Sequence, residues 1–257
     1  MAVGTRHIVF YGASGVSNDN TGRIGGEIDS GIRIAFTNIT SNTTVTTWST
    51  DKRDRNTLKV YGWNSSSAGA TETIEVSGTG RFVGSTTWSG ILGAAVIEHA
   101  TGVGTVIVSG TSQRIIGRIP IHESGFRAPF WGVSGVTASS TDYYEKIFVK
   151  NNNNVSTLQD ATLIQPVGGL STLMTYGLED GKSVDPSGAG TEESVATRLV
   201  APLNVSSYGS GSSGVWPSGT GNLEPTAYQG VWLKLTLPAL YATTTGVYSI
   251  ACSGNVE

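Results

Sequence analysis

The sequence predicts an all-β protein built as two antiparallel β-sandwich domains of Ig-like or jelly-roll-like character. Short runs dense in Val, Ile, Thr and aromatic residues recur along the 257 residues, each bounded by Gly, Asn or Ser clusters. Several of these runs alternate apolar and polar side chains, the period of a strand with one buried face. No long stretch shows convincing 3.6-residue periodicity, so helices are not expected.

In chain order the first half offers strands at 7–11, 32–38, 43–48, 57–63, 71–77, 81–83, 91–97, 104–109 and 114–119. The clearest alternation is Thr73-Ile74-Glu75-Val76-Ser77, with Ile74 and Val76 on one face. Gly78-Thr79-Gly80 is then expected to turn the chain into 81–83 as a hairpin. The charged stretch 51–55 (DKRDR) reads as a solvated turn. The run 89–99 (SGILGAAVIEH) is apolar enough for either class, and its neighbours favour strand. The second half offers 125–131, 143–150, 161–166, 173–176, 195–199, 231–237 and 247–252. Four consecutive Asn, 151–154, follow a strand and are expected to form a hairpin loop, because Asn caps its own turn and tolerates left-handed backbone. The segments 177–193 and 208–226 are long, rich in Gly, Ser and Asp, and are candidate contact surfaces. Punctuation by Gly110-Thr111-Ser112 and Pro120 suggests a domain boundary there, giving domains 1–118 and 119–257. No internal repeat is evident.

Composition narrows the function. With 35 Gly, 14% charged residues, three His and one Cys, little of the chain is available for catalytic machinery. A net charge of −3 argues against a nucleic-acid binder driven by phosphate neutralisation. Residues 1–120 carry ten Lys/Arg against eight Asp/Glu, and 121–257 carry six against eleven, a split that reads as ordinary surface variation. The lone Cys252 excludes an intramolecular disulfide and reads as a small buried hydrophobe. No apolar stretch reaches the length of a membrane span, and the first residues lack a secretory h-region. Synthesis and folding in the cytoplasm, followed by release within a particle, fit these features.

Motifs of chemistry are weak. His7, His99 and His122 lie far apart, and His122-Glu123 lacks the second His of a zinc helix motif, so no metal site is expected. Glu179, Asp180, Asp185, Glu192 and Glu193 lack EF-hand spacing and read as a solvated acidic loop. A Gly-x-Ser-x-Gly elbow is absent. The Gly-x-Gly-x-x-Gly at 209–214 lies in a Gly/Ser tract with neither a strand before it nor a helix after it, so it is no phosphate cradle. Glu75, Glu98 and Glu123 carry no signal that promotes them to a glycosidase pair. Five Asn-x-Ser/Thr sequons, at Asn38, Asn42, Asn64, Asn154 and Asn204, are what chance supplies in so Ser/Thr-rich a chain. The sequence therefore predicts no enzyme and no cofactor.

Aromatic residues are the remaining candidates for a site. Phe126, Phe130 and Trp131 cluster in FRAPFW, while Trp48, Trp63, Trp88, Trp216 and Trp232 are spread along the chain. Most are expected in sandwich cores. Trp216, before Pro217 in a Gly/Ser loop, is the strongest candidate anchor for a partner, with Tyr208, Phe130 and Trp131 as further candidate contacts.

Four segments then carry a resemblance: FYGASGVSNDNTGRIGGEID near the start, the block TLKVYGWNSSSAGATETIEVSGTGRFVGSTTWSGIL, the run YYEKIFVKNNNNVSTLQDATLI and the late VWLKLTLPA. Together they resemble virion structural proteins of tailed bacteriophages, with matching positions at 72–78 and Trp88, at 144–151, and at Trp232 with Lys234. The long 208–226 loop and the lack of an Arg pair after Trp232 depart from that pattern. The resemblance implies a non-enzymatic component of a phage particle, assembled in the host cytoplasm. Its first expected role is a capsid decoration or cement protein, a homo-oligomer bound to the major capsid protein or other virion proteins, with neither nucleic acid nor membrane as a partner. A tail, neck or baseplate position is the nearest alternative; a carbohydrate-binding or adhesin-like module is the alternative from a different class, ahead of a hydrolase.

Overall fold

The computed structural model describes residues 7–14, 24–39, 41–111, 114–130, 133, 138–164, 173–179, 193–205, 207–209, 221–240 and 250–256. Among these the chain is all-β with no helix. The strands in order are β1 (Ile8–Ala13), β2 (Ile24–Gly25), β3 (Ile28–Ile34), β4 (Val45–Ser49), β5 (Arg55–Asn64), β6 (Gly69–Ser77), β7 (Phe82–Val83), β8 (Trp88–Thr101) and β9 (Val106–Gly110). They continue as β10 (Ile115–Ile119), β11 (Gly125–Arg127), β12 (Thr141–Asn151), β13 (Leu158–Ile164), β14 (Met174–Leu178), β15 (Ser194–Val195), β16 (Tyr228–Leu237) and β17 (Ala251–Val256).

The chain divides into two compact units, one formed by Met1–Asp29 with Gly132–Glu257 and the other by Ser30–Trp131. This partition differs from the expected break after Arg118. The short strand β11 pairs in parallel with β3 and antiparallel with β8, which keeps 125–127 with the strands before it. The N-terminal strand β1 instead pairs along β12, Ile8 opposite Asn151 through Gly12 opposite Ile147, so the first unit is discontinuous in sequence. Ladder partners are chosen by complementary edges and faces, and that choice is blind to sequence distance.

In the Ser30–Trp131 unit, one sheet runs β3-β11-β8-β5-β6 and a second runs β10-β9-β4-β7. Their inward faces share one apolar cluster. Leu58, Val60, Ile74, Val76, Ile91 and Phe126 come from the first sheet, and Val45, Val106, Val108, Ile116 and Ile119 from the second. Trp88 lies in the same cluster, fully buried. The expected hairpin across Gly78-Thr79-Gly80 does not form. Strand β6 pairs with β5 in the first sheet, whereas β7 pairs with β4 in the second. The turn thus carries the chain from one sheet to the other, where Phe82 packs on the shared core.

The DKRDR turn also departs from its expected solvated character at one residue. Asp54 is fully buried. Its carboxylate accepts hydrogen bonds from the backbone N–H groups of Val103 (2.6 Å) and Gly104 (3.0 Å) and from the Ser49 hydroxyl. A buried carboxylate is thereby satisfied by donors from the facing turn. Asp51 and Arg53 keep the expected exposed ion pair, which holds the Asp51 carboxyl down at about 2 through the hydrogen bonds from Arg53.

In the other unit, one sheet runs β14-β16-β12-β1, and two short pairs, β13-β17 and β15-β2, accompany it. The Asn run caps itself as expected. Asn153 Oδ1 accepts from the N–H groups of Val155 and Ser156, and Asn151 Oδ1 accepts from the N–H of Asn153. The turn is nevertheless not a hairpin, because β13 pairs with β17 and not with β12. Cys252 sits half-buried in β17, and burial pushes its thiol up to about 12.

Replacing Asp54 by Ala removes the hydrogen bonds that Val103, Gly104 and Ser49 donate to a buried carboxylate, and should lower stability by about 1–3 kcal/mol. Asp51→Ala, which removes an exposed ion pair and an exposed hydrogen bond from the Arg53 N–H, should change it by less than about 1 kcal/mol. Urea unfolding of both variants checks the contrast. Cys252 should react slowly with a thiol reagent at pH 8 and at ordinary cysteine rates once the chain is unfolded, since only the thiolate reacts.

Candidate interaction surface

Strand β12 reads Thr-Asp-Tyr-Tyr-Glu-Lys-Ile-Phe-Val-Lys-Asn, and its alternation places Tyr144, Lys146 and Phe148 on one face and Glu145, Ile147 and Val149 on the other. The strand pairs with β1 and β16 along its edges, and residues 144–149 are buried on both faces, so its charges must find partners inside. Lys146 is fully buried. Opposite it stands Trp232 of β16, and its Nζ lies 2.6 Å from a carboxylate oxygen of Glu179, which is also fully buried. The ammonium sits 4.9 Å from the Phe148 ring centroid and 5.8 Å from that of Trp232, so two aromatic rings flank it.

A glycine makes the pair possible. A Cβ on Gly230 would lie 2.5 Å from Glu179 Oε2 and 2.9 Å from Lys146 Cε, so no other residue leaves the Lys and Glu side chains room to meet above β16. The second face is closed in the same manner. Glu145, fully buried, accepts from Arg198 Nη2 at 3.0 Å. Two adjacent residues of one strand thus bury two opposite charges, each satisfied by a residue from outside the β12 ladder.

Both pairs fasten residues 193–205 over the sheet. Glu193 N–H donates to Glu179 Oε1 at 2.9 Å, and Lys146 Nζ donates to the Glu193 carbonyl at 3.4 Å. The Arg198 carbonyl accepts from Tyr144 N–H at 2.7 Å. The Glu193 carboxylate then reaches forward to the N–H groups of Leu203 and Asn204, the latter at 2.8 Å. On Gly177 a Cβ would meet Val205 Cγ1 at 2.3 Å and the Ser207 carbonyl at 2.6 Å, so this segment lies directly on the backbone of β14. Expected as a strand over 195–199, the region is a two-residue strand followed by turns, because Arg198 must point inward to Glu145.

Between these fastenings the chain displays apolar side chains outward. Leu199 is 61% exposed, Val200 45% and Leu203 90%, while Pro202 between them is buried. A turn held by two buried ion pairs and a double backbone cap presents three aliphatic side chains to solvent at no further ordering cost.

The sequence-predicted contacts fall elsewhere. Trp216 and Trp131 lie outside the described residues. Phe130 is 9% exposed, in a left-handed conformation at φ 56°. Tyr208 is half-buried, its ring 5.9 Å from that of Tyr144. Its hydroxyl is buried and finds no hydrogen-bond partner among the described residues, and burial pushes the phenol well above the usual tyrosine range. Tyr208 thus packs against the buried cluster of Ile24, Tyr144, Val195 and Trp232. Of the acidic residues considered for Ca²⁺, Glu179 is taken up by Lys146 and Glu193 by the 203–204 cap; Asp180, Asp185 and Glu192 lie outside the described residues. Glu123 is engaged by Arg33 through both carboxylate oxygens, and Glu75 accepts from the Thr57 hydroxyl. Sequence reasoning missed the 199–203 turn. The signal available was RLVAPL, an apolar run around a Pro in place of the polar turn residues expected there.

No protein-family model, curated protein or solved structure matches the chain significantly.

Lys146→Met leaves Glu179 buried without its cation and should cost about 3–5 kcal/mol, whereas Lys146→Met combined with Glu179→Leu should recover much of the loss. Gly230→Ala should destabilise by about 1–3 kcal/mol through overpacking; Gly209→Ala, whose Cβ would meet nothing within 4 Å, serves as the neutral comparison. Denaturant titration reads all four. Because the folded chain holds the Tyr208 proton more tightly than the unfolded one, its contribution to stability is complete below the ordinary tyrosine value of about 10 and is lost as pH rises above it. Unfolding between pH 9 and 12 should therefore show a decline that Tyr208→Phe reduces.

Proposed function

We propose that this protein is a non-enzymatic structural component of a tailed-phage virion, and that within the particle it decorates and cements the capsid by binding the major capsid protein. The observation that carries this reading is the 199–203 turn, a cluster of three exposed aliphatic side chains fixed by buried charge. Buried ionisable groups at Lys146, Glu179, Glu145, Arg198 and Asp54 are engaged in fastening segments together, which suits a chain selected for rigidity. We read each unit as a β-sandwich. Supporting this, the two sheets of the Ser30–Trp131 unit bury a common core. A homo-oligomer binding at many equivalent sites would hold a shell through avidity, with each copy contributing only a modest contact.

Purified chain should co-sediment with capsids lacking it, saturably and near stoichiometry, and leave isolated tails unbound. Leu203→Asp should weaken that binding by about tenfold or more, the loss of one well-packed apolar anchor. Val155→Asp, at another exposed aliphatic position (70% exposed), should leave it unchanged. Binding to tails alone would move the protein to the tail or neck, and binding to neither would overturn the virion reading in favour of a glycan-binding module.

A further inference from the structure

The Ser30–Trp131 unit carries a second feature that the capsid reading does not use. Among the described residues strand β10 is the outer strand of its sheet and pairs with β9 alone, so one row of its backbone N–H and C=O groups has no ladder partner there. Along that strand opens a groove of about 310 Å³, lined by Ile115, Ile116 and Arg118 of β10 and by Arg33, Ile34 and Phe126 of the other sheet. Its floor is apolar, with Ile116, Ile34 and Phe126 all buried. Its mouth is basic. Glu123 grips Arg33 through Nε and Nη2, fixing that guanidinium in place and neutralising it. Arg118 is exposed and has no acidic partner among the described residues, so the groove keeps an unbalanced positive charge.

We infer that this groove is a β-augmentation site that accepts an extended segment of a partner protein bearing a carboxylate side chain. The open edge supplies main-chain hydrogen bonds, the apolar floor takes the inward side chains, and Arg118 selects the acid. A free small carboxylate would use only the last of these three, so the strand is the occupant that matches the whole site.

The test uses the full chain and a capped peptide, Thr-Val-Glu-Val-Thr-Val, with the same peptide carrying Lys in place of Glu as its opposite. Saturable binding of the Glu peptide is expected by calorimetry, with amide shift changes confined to 115–119 and 33–35. The Lys peptide should bind about tenfold more weakly, and Arg118→Glu should reverse the order. Arg118 is exposed, so the variant should fold, and its unfolding curve verifies this. Absence of saturable binding at low millimolar peptide overturns the inference, as does equal affinity for both peptides, binding indifferent to Arg118→Glu, or valerate alone binding as tightly as the Glu peptide. None of these outcomes bears on capsid binding through the 199–203 turn, so the two readings fail separately.

Discussion

The buried contact between Lys146 and Glu179 is the constraint on which the first unit depends. An ammonium and a carboxylate without solvent each carry a desolvation cost of several kcal/mol, and only close approach with further hydrogen bonds offsets it. That requirement explains the surroundings. Gly230 supplies the space, Phe148 and Trp232 supply the ring faces, and the backbone of Glu193 supplies a donor to the carboxylate and an acceptor to the ammonium. Once Glu193 is fixed, its own carboxylate is placed to cap Leu203 and Asn204. A core charge pair thus dictates the conformation of a surface turn.

An apolar replacement of the pair would build a core at least as stable. What it would not build is direction. Lys146 with Glu179 admits one placement of residue 193, and Glu145 with Arg198 admits one placement of residue 198. Two such fastenings on consecutive residues of one strand hold the 193–205 segment, of which Val195 and Pro202 are buried while Leu199, Val200 and Leu203 stay outside. The exposed Leu199, Val200 and Leu203 follow from this arrangement, because a turn secured by charge has no need to tuck its aliphatic side chains inward.

The Ser30–Trp131 unit applies a related logic at smaller scale. Asp54 secures the 103–104 turn, and Glu123 secures Arg33 across 90 residues of sequence. In each case a carboxylate in a turn region satisfies donors from a distant segment. The two sheets therefore need few direct hydrogen bonds between them and meet through a continuous apolar cluster.

Most strands were legible in the sequence, because alternation and β-branched residues are local properties and a period of two survives without knowledge of partners. Residues 55–64, 69–77, 141–151 and 228–237 are strands near the positions their patterns indicate. The all-β class follows from the same signal. Pairing was decided only by the tertiary structure. The Gly78-Thr79-Gly80 turn has hairpin chemistry, yet the chain uses it to change sheets, and β1 reaches past more than half the molecule to β12. The fate of the charges was equally hidden. Glu145 and Lys146 project to opposite faces of β12, both faces are buried, and their partners Arg198 and Glu179 lie outside any window in which local spacing speaks. Burial of a charge is set by what closes over it, and here residues far along the chain close over it.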